Sequence, residues 1–222
     1  MAKIYLSPSD QRGNTYAWGD TNEAIQCGYI AAACRRALER SGVEVMVGQY
    51  DLMANRCKAS DNFGADIHVP IHTNAYNGIV MGTRIFAYNT TGKGWQYAQE
   101  VFKVLAPLTI GTSENVKAAP QLYEVSTPKA PTVYIECEFH DSAEGAKWIV
   151  EHTEEIGEAI AEGLCNALGI KFVGAEGVVD GDFVSMADYM ALQEQYNTLA
   201  ASADALRTRV LNAVEIYDKG KD

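Results

Sequence analysis

The stretch Ala65-Asp66-Ile67-His68-Val69-Pro70-Ile71-His72-Thr73-Asn74-Ala75 constrains the fold more than any other part of the chain. Apolar, largely β-branched residues run up to His-Thr-Asn-Ala, and Gly78 and Gly82 follow. Such a run, bounded by turn formers, reads as a buried strand. It delivers His72 at the strand's end, where open α/β sheets gather their ligands. A histidine there is either a metal ligand or a hydrogen-bonded core residue, and the local pattern does not separate the two.

The surrounding sequence alternates strand and helix signals. Residues 4–7 read as a strand and 23–41 as a helix, with Ile30, Ala33, Ala37 and Leu38 on one face and Gly42 as its stop. Thr21 or Asn22 is a suitable N-cap, which places Glu23 in the first turn, near the first loop. Further strands are expected at 43–47, 67–72, 83–88, 122–125 and 133–136. Helices are expected at 52–63 (carrying Arg56), at 94–105, and once or twice within 143–168, with Gly169 as terminator. This rhythm predicts an α/β fold, a mostly parallel twisted sheet flanked by helices on both faces.

After Phe172 the character changes. Residues 173–183 are rich in glycine and read as a flexible linker. Beyond it, Tyr189, Leu192, Tyr196, Leu199, Ala203, Leu206, Val210, Ala213 and Tyr217 recur at alternating spacings of three and four. That is a heptad seam, which predicts a C-terminal coiled-coil helix over 184–222 and a homo-oligomer built through it. A single amphipathic helix packed back on the first domain is the alternative. The helix is acidic, which disfavours a membrane surface.

Composition narrows the partners. Of 222 residues, 47% are hydrophobic, enough for one ordinary core plus an appendage. A net charge of −11 argues against nucleic acid, and no apolar segment is long enough to span a membrane. The five cysteines, at 27, 34, 57, 137 and 165, form no close pair and read as reduced, buried thiols. Met1-Ala2-Lys3-Ile4-Tyr5-Leu6 runs into a polar loop without the apolar stretch of a signal peptide.

Several blocks, in order between residues 4 and 172, resemble the zinc-dependent N-acetylmuramoyl-L-alanine amidases, which cut peptidoglycan between the lactyl group and the stem peptide. Lys3-Ile4-Tyr5-Leu6-Ser7-Pro8-Ser9 is similar to the family's opening strand and loop. Glu23-Ala24-Ile25-Gln26-Cys27 resembles the start of its first helix, where an acidic metal ligand stands. Arg56, Ala65-Asp66 and His72-Thr73-Asn74-Ala75 match the central block, and Gly82-Thr83-Arg84-Ile85-Phe86 the next strand. Pro131-Thr132-Val133-Tyr134-Ile135-Glu136-Cys137-Glu138-Phe139 resembles the block that carries the catalytic glutamate.

The chain departs from the family at one position. The first loop normally supplies a zinc-binding histidine, but the four histidines here are 68, 72, 140 and 152. The corresponding loop reads Ser7-Pro8-Ser9-Asp10-Gln11-Arg12-Gly13-Asn14, so Asp10 or Gln11 would have to offer an oxygen. The resemblance thus implies Zn2+ held by Glu23, His72 and either Asp10 or Gln11, in a variant or weakened site. It implies Glu136 as general base, with Asn74 orienting the substrate or the neighbouring loop. Gln26, one helical turn from Glu23, is a candidate to fix its rotamer.

Other polar residues read as structural. His68 and His72 share a strand face but lie ~13 Å apart, too far to share one ion. His140 could assist at the site or supply the missing imidazole, but a turn histidine satisfied by Asp141 is the expectation. Glu138 shares a face with Glu136, and Tyr16, Trp18, Tyr76 and Tyr88 are possible groove residues. The expected substrate is peptidoglycan. A chain made in the cytoplasm without an export signal fits a phage or prophage endolysin. The rival expectations are a catalytically inactive wall-binding relative that has lost its metal, and an assembly protein organised by the coil.

Overall fold

A computed structural model describes residues 1–48 and 52–175, together with Ser202, Leu206 and Arg209. Chain contacts divide the protein into two compact units, Met1–Glu176 and Gly177–Asp222. Of the second, the three described residues are helical and exposed, and the expected coiled coil of 184–222 otherwise lies outside the described residues.

The first unit is built on a six-stranded sheet of order β2-β1-β3-β6-β4-β5. Its strands are β1 (Lys3–Pro8), β2 (Glu44–Val47), β3 (Ile67–Asn74), β4 (Arg84–Ala87), β5 (Lys117–Ala118) and β6 (Tyr134–Phe139). The helices are α1 (Glu23–Arg40), α2 (Met53–Phe63), α3 (Lys93–Leu105), α4 (Tyr123–Ser126), α5 (Ala143–Glu151) and α6 (Thr153–Leu168). β2, β1, β3 and β6 run parallel. β4 is antiparallel to β6, and β5 follows β4, so the sheet is mixed, with one reversed edge.

Strand order explains why both faces are covered. The β1–α1–β2 crossover steps outward across the sheet, whereas β2–α2–β3 steps back over β1. Right-handed crossovers in opposite directions place α1 and α2 on opposite faces. α1 and α3 both pack on α6, while α2 lies against β1 and α4. β3 is therefore closed in on both sides, which is why seven of its eight residues are buried.

The caps behave as the sequence predicts. Asn22 is the N-cap of α1, its side chain accepting from Ile25 N, and α6 ends at Gly169 in the left-handed region. All five cysteines are free and buried.

Two expectations change. Residues 122–125 form no strand. Tyr123–Ser126 is a single helical turn that buries the adjacent Glu124 and Val125. The edge strand lies earlier, at Lys117–Ala118. In addition, β6 runs on to Phe139, so Glu136 sits within the strand rather than at its end.

Candidate active site

Three segments converge at the C-terminal ends of the parallel strands: the β1–α1 loop, the end of β3, and β6. The Asn22 cap fixes where α1 begins and hence where Glu23 points. Glu23 is 1% exposed, and its Oε1 lies 2.8 Å from His72 Nδ1. His72 is opposite Glu136 in the β3–β6 ladder, and its ring stacks on Tyr134 at 4.7 Å between centroids. Just beyond this pair the register slips, with one extra residue on β6 between Glu136 and Phe139. Bulges of this kind occur preferentially beside active sites, where they re-aim side chains.

The first loop supplies Gln11 and Asn14. Gln11 Nε2 faces His72 Nδ1 at 3.5 Å, and Gln11 Oε1 accepts from Asn14 Nδ2 at 3.0 Å. The same Asn14 nitrogen donates to Glu23 Oε2 at 2.6 Å. Asp10 is placed elsewhere: its carboxylate turns to Arg56, 3.9 Å away. Between the two loop candidates, Gln11 is the one beside His72.

Electrostatics divides the three central groups. Burial works to raise Glu23, but hydrogen bonds from His72 and Asn14 and the charge on His72 outweigh it and hold the carboxyl below its usual range. Burial works to lower His72, yet the Glu23 bond and the Glu136 charge leave it raised. Glu136 has no comparable donor among the described residues. Burial, opposed by His72 and reinforced by Glu23, lifts it to about 7. Two buried polar atoms here, His72 Nε2 and Glu136 Oε2, have no hydrogen-bond partner among the described residues. Unsatisfied groups of that kind mark places where a ligand or reacting group belongs.

The donor set can be tested against a tetrahedral cation, whose ligand atoms lie about 3.4 Å apart when the bonds are ~2.1 Å. Two of the three edges can be compared with it: Glu23 Oε1 and the Gln11 amide nitrogen lie 2.8 and 3.5 Å from His72 Nδ1. Gln11 presents its nitrogen to His72, so its amide would have to turn over and release Asn14. With that rotation an amide oxygen would join a carboxylate oxygen and an imidazole nitrogen, donor types that suit zinc.

The remaining candidates take supporting positions. Gln26 Nε2 donates to Thr21 Oγ1 rather than to Glu23, and Asn14 makes the contact to Glu23. Asn74 Oδ1 accepts from Ala75 N, and its carbonyl accepts from His140 N, so it shapes the loop after β3. His140 is buried; its Nδ1 lies 3.0 Å from Thr73 Oγ1, and its ring stacks on Tyr16. Asp141, expected to satisfy His140, instead accepts from the backbone of Tyr76 and Gly78. Glu138 Oε1 accepts from Gly82 N and Phe139 N. Burial, opposed by those two bonds, raises Glu138 to about 7. Asn14 is the site residue that the sequence reading passes over. Its only signal is its place in a Gln-x-x-Asn spacing within the first loop.

The sequence profile described as N-acetylmuramoyl-L-alanine amidase matches residues 9–166. The chain belongs to the N-acetylmuramoyl-L-alanine amidase family, a class of amide-hydrolysing enzymes. Its fold is similar to several solved structures. The catalytic domain of CwlV, an N-acetylmuramoyl-L-alanine amidase from Bacillus (Paenibacillus) polymyxa var. colistinus, superposes with a TM-score of 0.69 at 18% identity, covering 77% of this chain and 100% of that one. An N-acetylmuramoyl-L-alanine amidase from Clostridium difficile 630 gives 0.68 at 18% identity, over 79% and 98%. The catalytic domain of the CD27L endolysin, which targets Clostridia difficile, gives 0.61 at 23% identity, over 75% and 98%. No curated protein sequence matches the chain.

Proposed function

We propose that this protein hydrolyses the amide between N-acetylmuramic acid and the L-alanine of the peptidoglycan stem, with Glu136 as general base. The observation that carries this reading is the Glu136–His72–Glu23 arrangement. It combines a carboxyl raised to about 7, with a free buried oxygen, and a neighbouring histidine–carboxylate pair that can hold a cation. A base poised near neutrality suits both proton abstraction and proton return.

Glu23, His72 and Gln11 are the residues that would hold Zn2+. When bound, zinc supplies Lewis acidity, lowering the pKa of water and polarising a carbonyl. Glu136 takes the proton of the attacking water and returns it to the amine nitrogen of L-alanine as the C–N bond breaks. The products are a lactyl carboxylate and a free stem-peptide amine. Tyr134, stacked on His72, and Asn14, bonded to Glu23, keep these two side chains in place.

We read residues 1–172 as the hydrolytic domain, 173–183 as a linker, and 184–222 as an oligomerising helix that adds avidity for the wall. The substrate is cell-wall peptidoglycan, and an endolysin role fits. Wall binding without hydrolysis is the second reading, favoured by one observation, the amide nitrogen that Gln11 turns toward His72. Digestion of purified peptidoglycan followed by mass spectrometry decides between them. Hydrolysis yields stem peptides with a free L-alanine amine, and binding alone leaves muropeptides intact.

A further inference from the structure

The buried face of α2 carries Arg56, Cys57 and Ser60, with no aliphatic side chain among them. A helix packed on a sheet ordinarily buries an apolar stripe. This one meets a polar cluster formed by Ser7 of β1, His68 of β3 and Glu124 of α4. Cys57 and Glu124 are each 2% exposed, and His68 is fully buried. Glu124 divides its oxygens between two sides. Oε2 accepts from Arg56 Nη2 at 3.2 Å, while Oε1 accepts from Ser7 Oγ at 2.6 Å and lies 3.3 Å from His68 Nε2. Three buried atoms in this cluster have no hydrogen-bond partner among the described residues: His68 Nδ1, Ser60 Oγ and Arg56 Nε. Buried charge and unpaired polar atoms are costly.

We propose that Cys57, His68 and Glu124 form a second metal site, taking a zinc-like divalent cation and distinct from the Glu23–His72 pair. Each brings a donor atom within 4.8 Å of the other two. The His68–Glu124 edge, 3.3 Å, already matches the ~3.4 Å expected for nitrogen and oxygen ligands of tetrahedral zinc. The edges to the sulfur, within 4.8 Å, must close by up to about 1.2 Å to reach the ~3.6 Å of a tetrahedral zinc thiolate. Mixed thiolate, imidazole and carboxylate donors suit a borderline-soft ion and exclude calcium or magnesium.

Charge also balances. The Cys57 thiolate, Glu124 and Asp10, which lies 3.9 Å from Arg56, oppose the cation and the Arg56 guanidinium three to three. Binding replaces the thiol proton, which is released to solvent. His68 and His72 are four residues apart on β3, about 13 Å, so the two sites are separate. The site would pin α2 and α4 to the sheet. Through Arg56, whose Nη1 donates to the Pro8 carbonyl at 2.7 Å, it would also hold the root of the first loop.

Cobalt(II) added to the full chain after chelation provides the test, because a thiolate–cobalt bond gives a near-ultraviolet charge-transfer band that the Glu23–His72 pair cannot produce. The His72→Ala variant is expected to bind one equivalent of Co2+ with that band. His72→Ala/Cys57→Ser should lose the band while keeping the circular dichroism of the fold. His72→Ala/His68→Gln should weaken cobalt binding at least about tenfold, which keeps the test open if the serine variant fails to fold. A folded His72→Ala protein without the band, or a band that survives Cys57→Ser, overturns the proposal. Amide hydrolysis plays no part in this readout, so its outcome is independent of the amidase reading.

Discussion

His72 and Glu136 are direct neighbours across the parallel β3–β6 ladder, yet they titrate in different surroundings: His72 shares a bond with Glu23, and Glu136 keeps an oxygen without a partner. In the proposed reaction, that pairing would put the ion-holding imidazole and the general base side by side on strands rather than on loops. Preorganisation of that kind is what a hydrolytic site requires.

The first prediction concerns the first loop. Because Asp10 turns to Arg56 and Gln11 lies beside His72, Gln11→Ala should weaken zinc binding by about tenfold or more, and Asp10→Ala by much less. Gln11→His should strengthen it, since imidazole is a better zinc ligand than an amide oxygen. Zinc titration against a competing chelator measures all three. Equal losses in the two alanine variants would assign the third donor differently.

A second prediction uses Glu138. Its carboxyl titrates near about 4.3 in an unfolded chain, and burial raises it to about 7 in the folded protein. Its stabilising contribution is full below the unfolded value and is lost as pH rises through the folded one. In chelator-treated protein, Glu138→Gln should therefore flatten the fall in melting temperature between about pH 4.5 and 7. The amide oxygen can still accept from Gly82 and Phe139. An unchanged pH slope would contradict the assignment.

Gly82 offers a third test. It has φ +110°, and a Cβ added there would stand 2.5 Å from the Thr112 backbone. Gly82→Ala combines an unfavourable dihedral with a backbone clash and should cost about 2 kcal/mol or more in chemical denaturation. Wild-type stability in the variant would mean that the 109–113 segment yields freely.

Much of this arrangement is legible in the sequence. The 65–75 run specifies a central strand because both faces of β3 are covered, and the Asn22 cap brings Glu23 to the end of that strand. The reversal of β4 and β5 is not legible, because periodicity reports burial and not strand direction. The 122–125 segment is too short for period 2 to be told from period 3.6, and it becomes a helical turn that buries Glu124 against Arg56 and His68. The Asn14 contact to Glu23 depends on how a nine-residue separation folds back, and the Thr73–His140 contact on segments 67 residues apart. Loop geometry of this sort carries no periodic signal.

The most direct test is the release of free amino groups from peptidoglycan, followed together with zinc content, for the wild type and Glu136→Gln. The account predicts hydrolysis by the zinc-loaded wild type. It also predicts a loss of about 10²–10⁴-fold in the variant with zinc content unchanged, because Glu136 moves the proton and does not hold the ion. A wild type that binds zinc and releases no amino groups, or a variant as active as wild type, would contradict it.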